Sequence, residues 1–290
     1  MQKAKDIFTS YLFILPALVM FVIFSIYPFY KVFQLSVFDW DGISPIMKFV
    51  GLNNFKNIFL HDTPYWISMR NAGFITLLAL TFQNFLAFLL AYIVDKEIKG
   101  RNFYRTIFFL PPVLSGIVVG LVWSWIYNSD YGLLNRLLKF LGLAPQAWLT
   151  DPKFALISVS IIHMWKGFGW GFVILLAGLQ GIPRELYEAA KVDGASGWQI
   201  VTSITIPIMM PIFFLVSILT ILGSMQIYDI IVSTTGGGPG YHTEVPITRI
   251  LASMIGSSRF GYAAAQGIVF GVILLVLSIL QIKISRKLQV

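Results

Sequence analysis

Two short stretches hold much of the polar chemistry of an otherwise apolar chain. The run "HMWKGFGWG" sets His163, Trp165, Lys166 and Trp170 among Gly167, Gly169 and Gly171, and "SMQIYDI" sets Ser224, Gln226, Tyr228 and Asp229 close together. Aromatic faces beside groups that exchange several hydrogen bonds suit the binding of a polar solute. A charge inside an apolar run is costly and marks a candidate functional position, which singles out Lys166 and Asp229. Their plainer reading is an ion pair between two helices, with Asp229 at a membrane interface and the tryptophans serving as bundle packing. Catalysis finds no such constellation. His61, His163 and His242 are far apart and share no metal-ligand spacing, no phosphate loop of the Gly-x-x-x-x-Gly-Lys-Ser/Thr type occurs, and the chain has no cysteine. No catalytic residue, metal ligand or cofactor is therefore assigned to this chain.

A third stretch, "EAAKVDGASGWQI" from Glu188 to Ile200, has a different character. Pro183 suits the first turn of a helix, Glu185 and Glu188 lie early where negative charge favours the dipole, and Gly194 stands where a helix ends. Ser196 is placed to cap a second helix running toward Pro207 and Pro211, so two short helices joined by a glycine turn are expected. Ala189, Ala190 and Ala195 keep the surface narrow, while Glu188 and Asp193 offer carboxylates to a partner's Arg or Lys. The alternative is an amphipathic stretch on lipid headgroups. Such helices usually carry several cations on the polar face, whereas here Arg184 and Lys191 stand beside three acids.

The elements that must position these groups are membrane spans. Of the 290 residues 57% are hydrophobic and only 12% charged, against about 25% charged in a soluble domain. The formal charge of +8 is scattered along the edges of apolar runs, which argues against nucleic-acid binding. Roughly 20 apolar residues cover the hydrocarbon core, and six windows qualify: Tyr11 to Tyr30, Phe74 to Val94, Ile107 to Tyr127, Ala155 to Leu179, Pro211 to Ile231 and Tyr262 to Ile282. Pro111 and Pro112 interrupt the third, and Gly167, Gly169 and Gly171 the fourth. The N-terminal MQKAK before an apolar run lacks a small-x-small cleavage site, so the first window is read as a retained span. The cationic cluster from Lys96 to Arg105 and the tail from Lys283 to Lys287 place both termini in the cytoplasm. The loops on the other side carry Trp40, Tyr65, Trp66, Trp148, Tyr241 and Phe260, as interfacial anchors or as a docking surface. No linker divides the chain, so residues 1–290 are expected to form one all-α membrane domain.

Glu188-Ala189-Ala190, then Asp193-Gly194-Ala195, Ile206-Pro207 and Pro211 resemble the EAA signature of the permease subunits of bacterial ABC importers. The stretches "FVGLNNFKNIF" at Phe49, "GRNFYRTIFFLPP" at Gly100, "TTGGGPG" at Thr234 and "GYAAAQG" at Gly261 are similar to its carbohydrate-uptake branch, the maltose and glycerol-3-phosphate type. Ile200 stands where the family often has an aromatic or other bulky apolar residue. The resemblance implies a type I importer fold of six transmembrane helices with a cytoplasmic coupling loop at about 182–207, in a bacterial inner membrane. It implies a second permease subunit, a cytosolic ATPase dimer that holds ATP and Mg, an extracellular or periplasmic solute-binding protein, and a sugar as cargo. By position, Glu188 would pair with a basic residue of the ATPase, Gly194 would permit the turn, and Ala189 and Ala190 would fit its cleft. The two polar clusters then become candidate sugar contacts. A self-sufficient carrier or channel is the competing class, but the paired halves and acid relays frequent in such carriers are not evident. A membrane enzyme lacks its catalytic constellation.

Overall fold

The computed structural model describes residues 13–96 and 98–288. The MQKAK segment and the expected start of the first span at Tyr11 lie outside the described residues.

Among the described residues the architecture is helical apart from one two-stranded hairpin. Five helices among the described residues are long and apolar enough to cross a membrane: α1 (Phe13–Ser36), α3 (Thr63–Asp95), α7 (Ala155–Gln180), α9 (Gly197–Met225) and α12 (Phe260–Leu288). A further span is made of two pieces, α4 (Arg101–Val113) and α5 (Gly116–Ile126), bent by 97°. Shorter helices complete the set: α2 (Asn53–His61), α6 (Leu133–Phe140), α8 (Arg184–Val192), α10 (Asp229–Thr234) and α11 (Pro246–Leu251). By packing, the described residues form two compact units, one of those up to Asp62 with Ile250–Val272, the other of Thr63–Arg249 with those from Ile273 onward.

In the first unit, β1 (Phe38–Asp39) pairs antiparallel with β2 (Lys48–Phe49), setting Phe38 opposite Phe49 and Asp39 opposite Lys48. The Asn54 amide donates to Ser36 O and Phe38 O, both at 2.9 Å, and so closes the end of α1 onto the hairpin. Gly261 lies against the Phe38 carbonyl with no room for a Cβ, and its N–H reaches Trp40 O at 3.2 Å. Between the strands, the N–H groups of Ile43 and Ser44 hold the exposed Asp41 carboxyl below its ordinary value. Two distant parts of the sequence meet at Asp62, whose Oδ2 accepts from Tyr262 Oη and Gln266 Nε2, each at 2.8 Å.

The second unit packs around the C-terminal half of α3 together with α7 and α9. Ala87, Ala91, Phe172, Leu175 and Met209 belong to its buried apolar cluster. The glycines of α7 do not interrupt it, contrary to the expectation. Gly171 faces Ala87 and Val216 at contact distance, Gly178 leaves room for Met209 and Ile212, and Gly169 leaves room for the Phe108 carbonyl and Pro112. Lipid tails give little drive for helices to associate, so small residues that admit close approach supply the packing. Pro111 and Pro112 do coincide with a break. The backbone turns extended at Leu114 and Ser115 (ψ 142° and 135°), so Ile107 to Tyr127 is two helices rather than one straight span.

The fifth span also differs from its expected window. α9 starts at Gly197, runs through Pro207 and Pro211 and stops at Met225, short of Ile231. A wider π turn at Val201–Thr205 loosens the helix just ahead of Pro207, where the ring would otherwise press on the preceding turn.

Candidate functional site

A cavity of about 440 Å³ lies between α7, α9 and α10, with the π turn of α3 (Ala79–Gln83) on its wall. Of the six candidate pathway residues, Lys166, Trp170, Ser224, Gln226 and Asp229 line it, and Tyr228 does not. The end of α9 at Met225 explains the separation. Gln226 closes that helix with its N–H on Leu222 O and Ser224 O, Tyr228 leaves helical geometry (φ −143°), and Asp229 opens α10.

Asp229 is seated by glycine. α10 lies along α5 over Gly116 and Gly120, which are four residues apart in "GIVVG". A Cβ on Gly116 would overlap the Asp229 carboxylate, and one on Gly120 would overlap the Ser233 hydroxyl. Lys166 and Asp229 line the same cavity, yet among the described residues they form no ion pair within 4.0 Å. The interhelical ion pair is thus not what holds them. His163 Nε2 instead meets Ser224 Oγ at 2.8 Å, linking α7 to α9. Thr220 Oγ1 donates to Asn84 Oδ1 at 3.0 Å, linking α9 to α3. Trp170 packs edge-on against Phe109 at 5.3 Å, while Trp165 pairs with Trp123 at 5.7 Å.

Gln83 and Thr220 are polar lining residues that sequence reading missed, and Gln83 is the more telling. It is 6% exposed, its Oε1 has no hydrogen-bond partner, and Gly167 of α7 stands directly opposite it. An unmet buried acceptor is expensive, and a donor from a bound solute would satisfy it. The available signal was a pair of amides, Gln83 and Asn84, inside an apolar run. π turns are frequent at functional sites, consistent with Gln83 ending one.

The Glu188 to Ile200 stretch forms a helix, a tight turn and a second helix start. α8 ends in a Schellman motif: Ala195 N–H donates to Ala190 O at 2.9 Å and Gly194 N–H to Lys191 O at 3.1 Å, with Gly194 at φ +76°. Ser196 and Gln199 then form a reciprocal capping box at the start of α9. The second helix is not short, because it continues as α9 itself. α8 buries no residue, and Val192 and Trp198 are 87% and 75% exposed. Tyr187 reaches inward, with its hydroxyl 3.3 Å from Thr205 Oγ1 in the π turn of α9. Glu188, Ala189, Asp193 and Gly194 are exposed, and Ala190 and Ala195 half-buried.

The chain is similar to several permease proteins. It is 36% identical to a probable ABC transporter permease protein of Bacillus subtilis, YurN, over 95% of each chain. It is 32% identical to the trehalose/maltose transport system permease protein MalF of Thermococcus litoralis, over 98% of this chain and 96% of that one. It superposes with a TM-score of 0.87 and 25% identity, over 99% of both chains, on a chain of the crystal structure of a bacterial ABC transporter involved in import of the acidic polysaccharide alginate. The model of the binding-protein-dependent transport system inner membrane component matches residues 83–290. With the helical fold and the cavity already described, that match establishes that the chain belongs to the family of binding-protein-dependent transport system inner membrane components, the permease subunits of ABC importers.

Proposed function

We propose that the chain is one half of a heterodimeric translocation path for a sugar or oligosaccharide, acting as a single permease domain in the bacterial inner membrane with both termini cytoplasmic. ATP and Mg belong to a cytosolic ATPase dimer, and an extracellular or periplasmic solute-binding protein delivers the cargo. The observation that carries this reading is α8: a helix with no fully buried residue, mostly exposed and with Val192 and Trp198 bare at the turn, is built to be covered by something else. Glu188 and Asp193 supply charge for a basic partner, and Ala189, Ala190 and Ala195 permit close approach. The Schellman turn and the Tyr187 to Thr205 contact tie α8 to the base of α9. Displacement of α8 is thereby passed to a helix whose far end bears Ser224 and is followed by Gln226 and Asp229.

The sugar reading is supported by the relatives named above and by the lining itself, which combines Trp170 with Gln83, Gln226, Lys166 and Asp229. Two measurements test the proposal. Glu188→Arg is expected to abolish ATP hydrolysis stimulated by the binding protein, or to release the ATPase from the purified complex; unchanged coupling and assembly would remove α8 from the mechanism. Substituting Gln226, Tyr228 and Asp229 one at a time to alanine, with uptake measured at fixed expression, should lower uptake at Gln226 and Asp229 and spare it at Tyr228. Equal uptake in all three would sink the cavity assignment.

A further inference from the structure

At one end of the second unit three apolar spans finish in a group of cations. α3 ends at Asp95 with Lys96 following, α4 begins at Arg101, and α7 ends at Gln180. Arg101 and Arg105, one turn apart, both direct a guanidinium Nη2 to the Gln180 side-chain oxygen, at 3.0 Å from Arg101 and closer from Arg105, with the amide turned to accept them. Their Nε atoms are buried and have no hydrogen-bond partner.

Two grooves meet at this point, and Gln180 borders both. One, of about 750 Å³, carries Lys96, Arg101, Arg184 and Lys191 against Asp95 and Glu188. The other, of about 530 Å³, has Arg105 and Gln180 at one end and continues between Phe109 and Val113 of α4 and Phe172 and Val173 of α7. From Arg105 to Val113 that second groove follows about 12 Å of helix. A cationic recess with unmet donors, opening into an apolar channel at the level where spans end, matches one amphiphile better than any small anion.

We propose that this double groove holds an anionic glycerophospholipid of the adjoining leaflet, its phosphate against Arg101 and Arg105 and an acyl chain between α4 and α7. Guanidinium pairs favour phosphate because their forked donors match its oxygens, and basic recesses between membrane helices are known to take lipid headgroups. Since α8 contributes Glu188 and Lys191 to the cationic groove, the lipid would touch the helix assigned above to coupling.

The test is lipid retention by the assembled transporter in nanodiscs of phosphatidylglycerol and phosphatidylcholine, counted by native mass spectrometry during detergent exchange. The wild type should retain phosphatidylglycerol selectively. R101Q/R105Q should lose roughly 30-fold in retention, about fivefold per charge, while R101K/R105K keeps most of it. Ala177→Phe, which fills the apolar groove, should also release the lipid without altering any charge. Equal retention of both lipids, or selectivity unchanged in both R101Q/R105Q and Ala177→Phe, would overturn the proposal. So would displacement by inorganic phosphate, which marks a simple anion site. Cross-linking of a cysteine at Val173 to the second permease subunit would likewise overturn it, since protein then covers the groove.

Discussion

At the scale of single residues, the cavity depends on glycines more than on its charged groups. Asp229 reaches its place because Gly116 has no side chain, so Gly116→Ala should push the carboxylate out and lower uptake without touching any polar lining residue. Overpacking of this kind costs about 1–3 kcal/mol, which a thermal melt of the purified complex should register. Gly73→Ala is the natural comparison, since a Cβ there meets nothing within 4 Å and the helix gains propensity; its melt should hold or rise. Identical behaviour of the two variants would show that Gly116 has no seating role. Residue chemistry was only partly legible in the sequence. Lys166 and Asp229 stood out because charge in an apolar run is rare, but Gln83 did not. Its importance comes from Gly167, far along the chain, which lets α7 close over it. Tyr228 looked equivalent to Gln226 and Asp229 until the helix end at Met225 separated them.

At the scale of elements, local signals were the readable ones. The turn at Gly194 and the cap at Ser196 rest on bonds between residues at most five apart, so the sequence alone suffices to place them. Gly194 at φ +76° has open space around it, so a side chain there is opposed by the backbone and not by crowding within this chain. Gly194→Asn, which tolerates the left-handed region, should retain most coupled ATP hydrolysis. Gly194→Val should destabilise the turn by roughly 1–2 kcal/mol or more and uncouple transport. Equal loss in both variants would point to contact with a partner in place of turn geometry. Less readable was the course of the helices through Pro and Gly. Pro207 and Pro211 were expected beyond a short second helix and instead lie within one continuous α9, whereas Pro111 and Pro112 mark a bend of 97°. Proline removes the same hydrogen bond in both places, and the outcome turns on whether neighbouring segments widen or abandon the helix.

At the scale of the molecule, the first unit is assembled from two stretches nearly two hundred residues apart. Asp62 is where they join, because both Tyr262 and Gln266 donate to its buried carboxylate. Asp62→Ala would remove the acceptor of both hydrogen bonds, at a cost of about 1–3 kcal/mol, and the purified complex should melt earlier, with Asp62→Asn recovering part of the loss. A melt unchanged by Asp62→Ala would remove this junction from the account of stability. The sequence by itself determined that the chain is a helical membrane protein with a glycine turn at Gly194, because transfer to lipid and helix capping depend on windows of neighbouring residues. Only the tertiary structure decided which polar groups share a cavity. His163 meets Ser224 across 61 positions and Thr220 meets Asn84 across 136, and such meetings follow from how small residues let helices approach, which no local window contains.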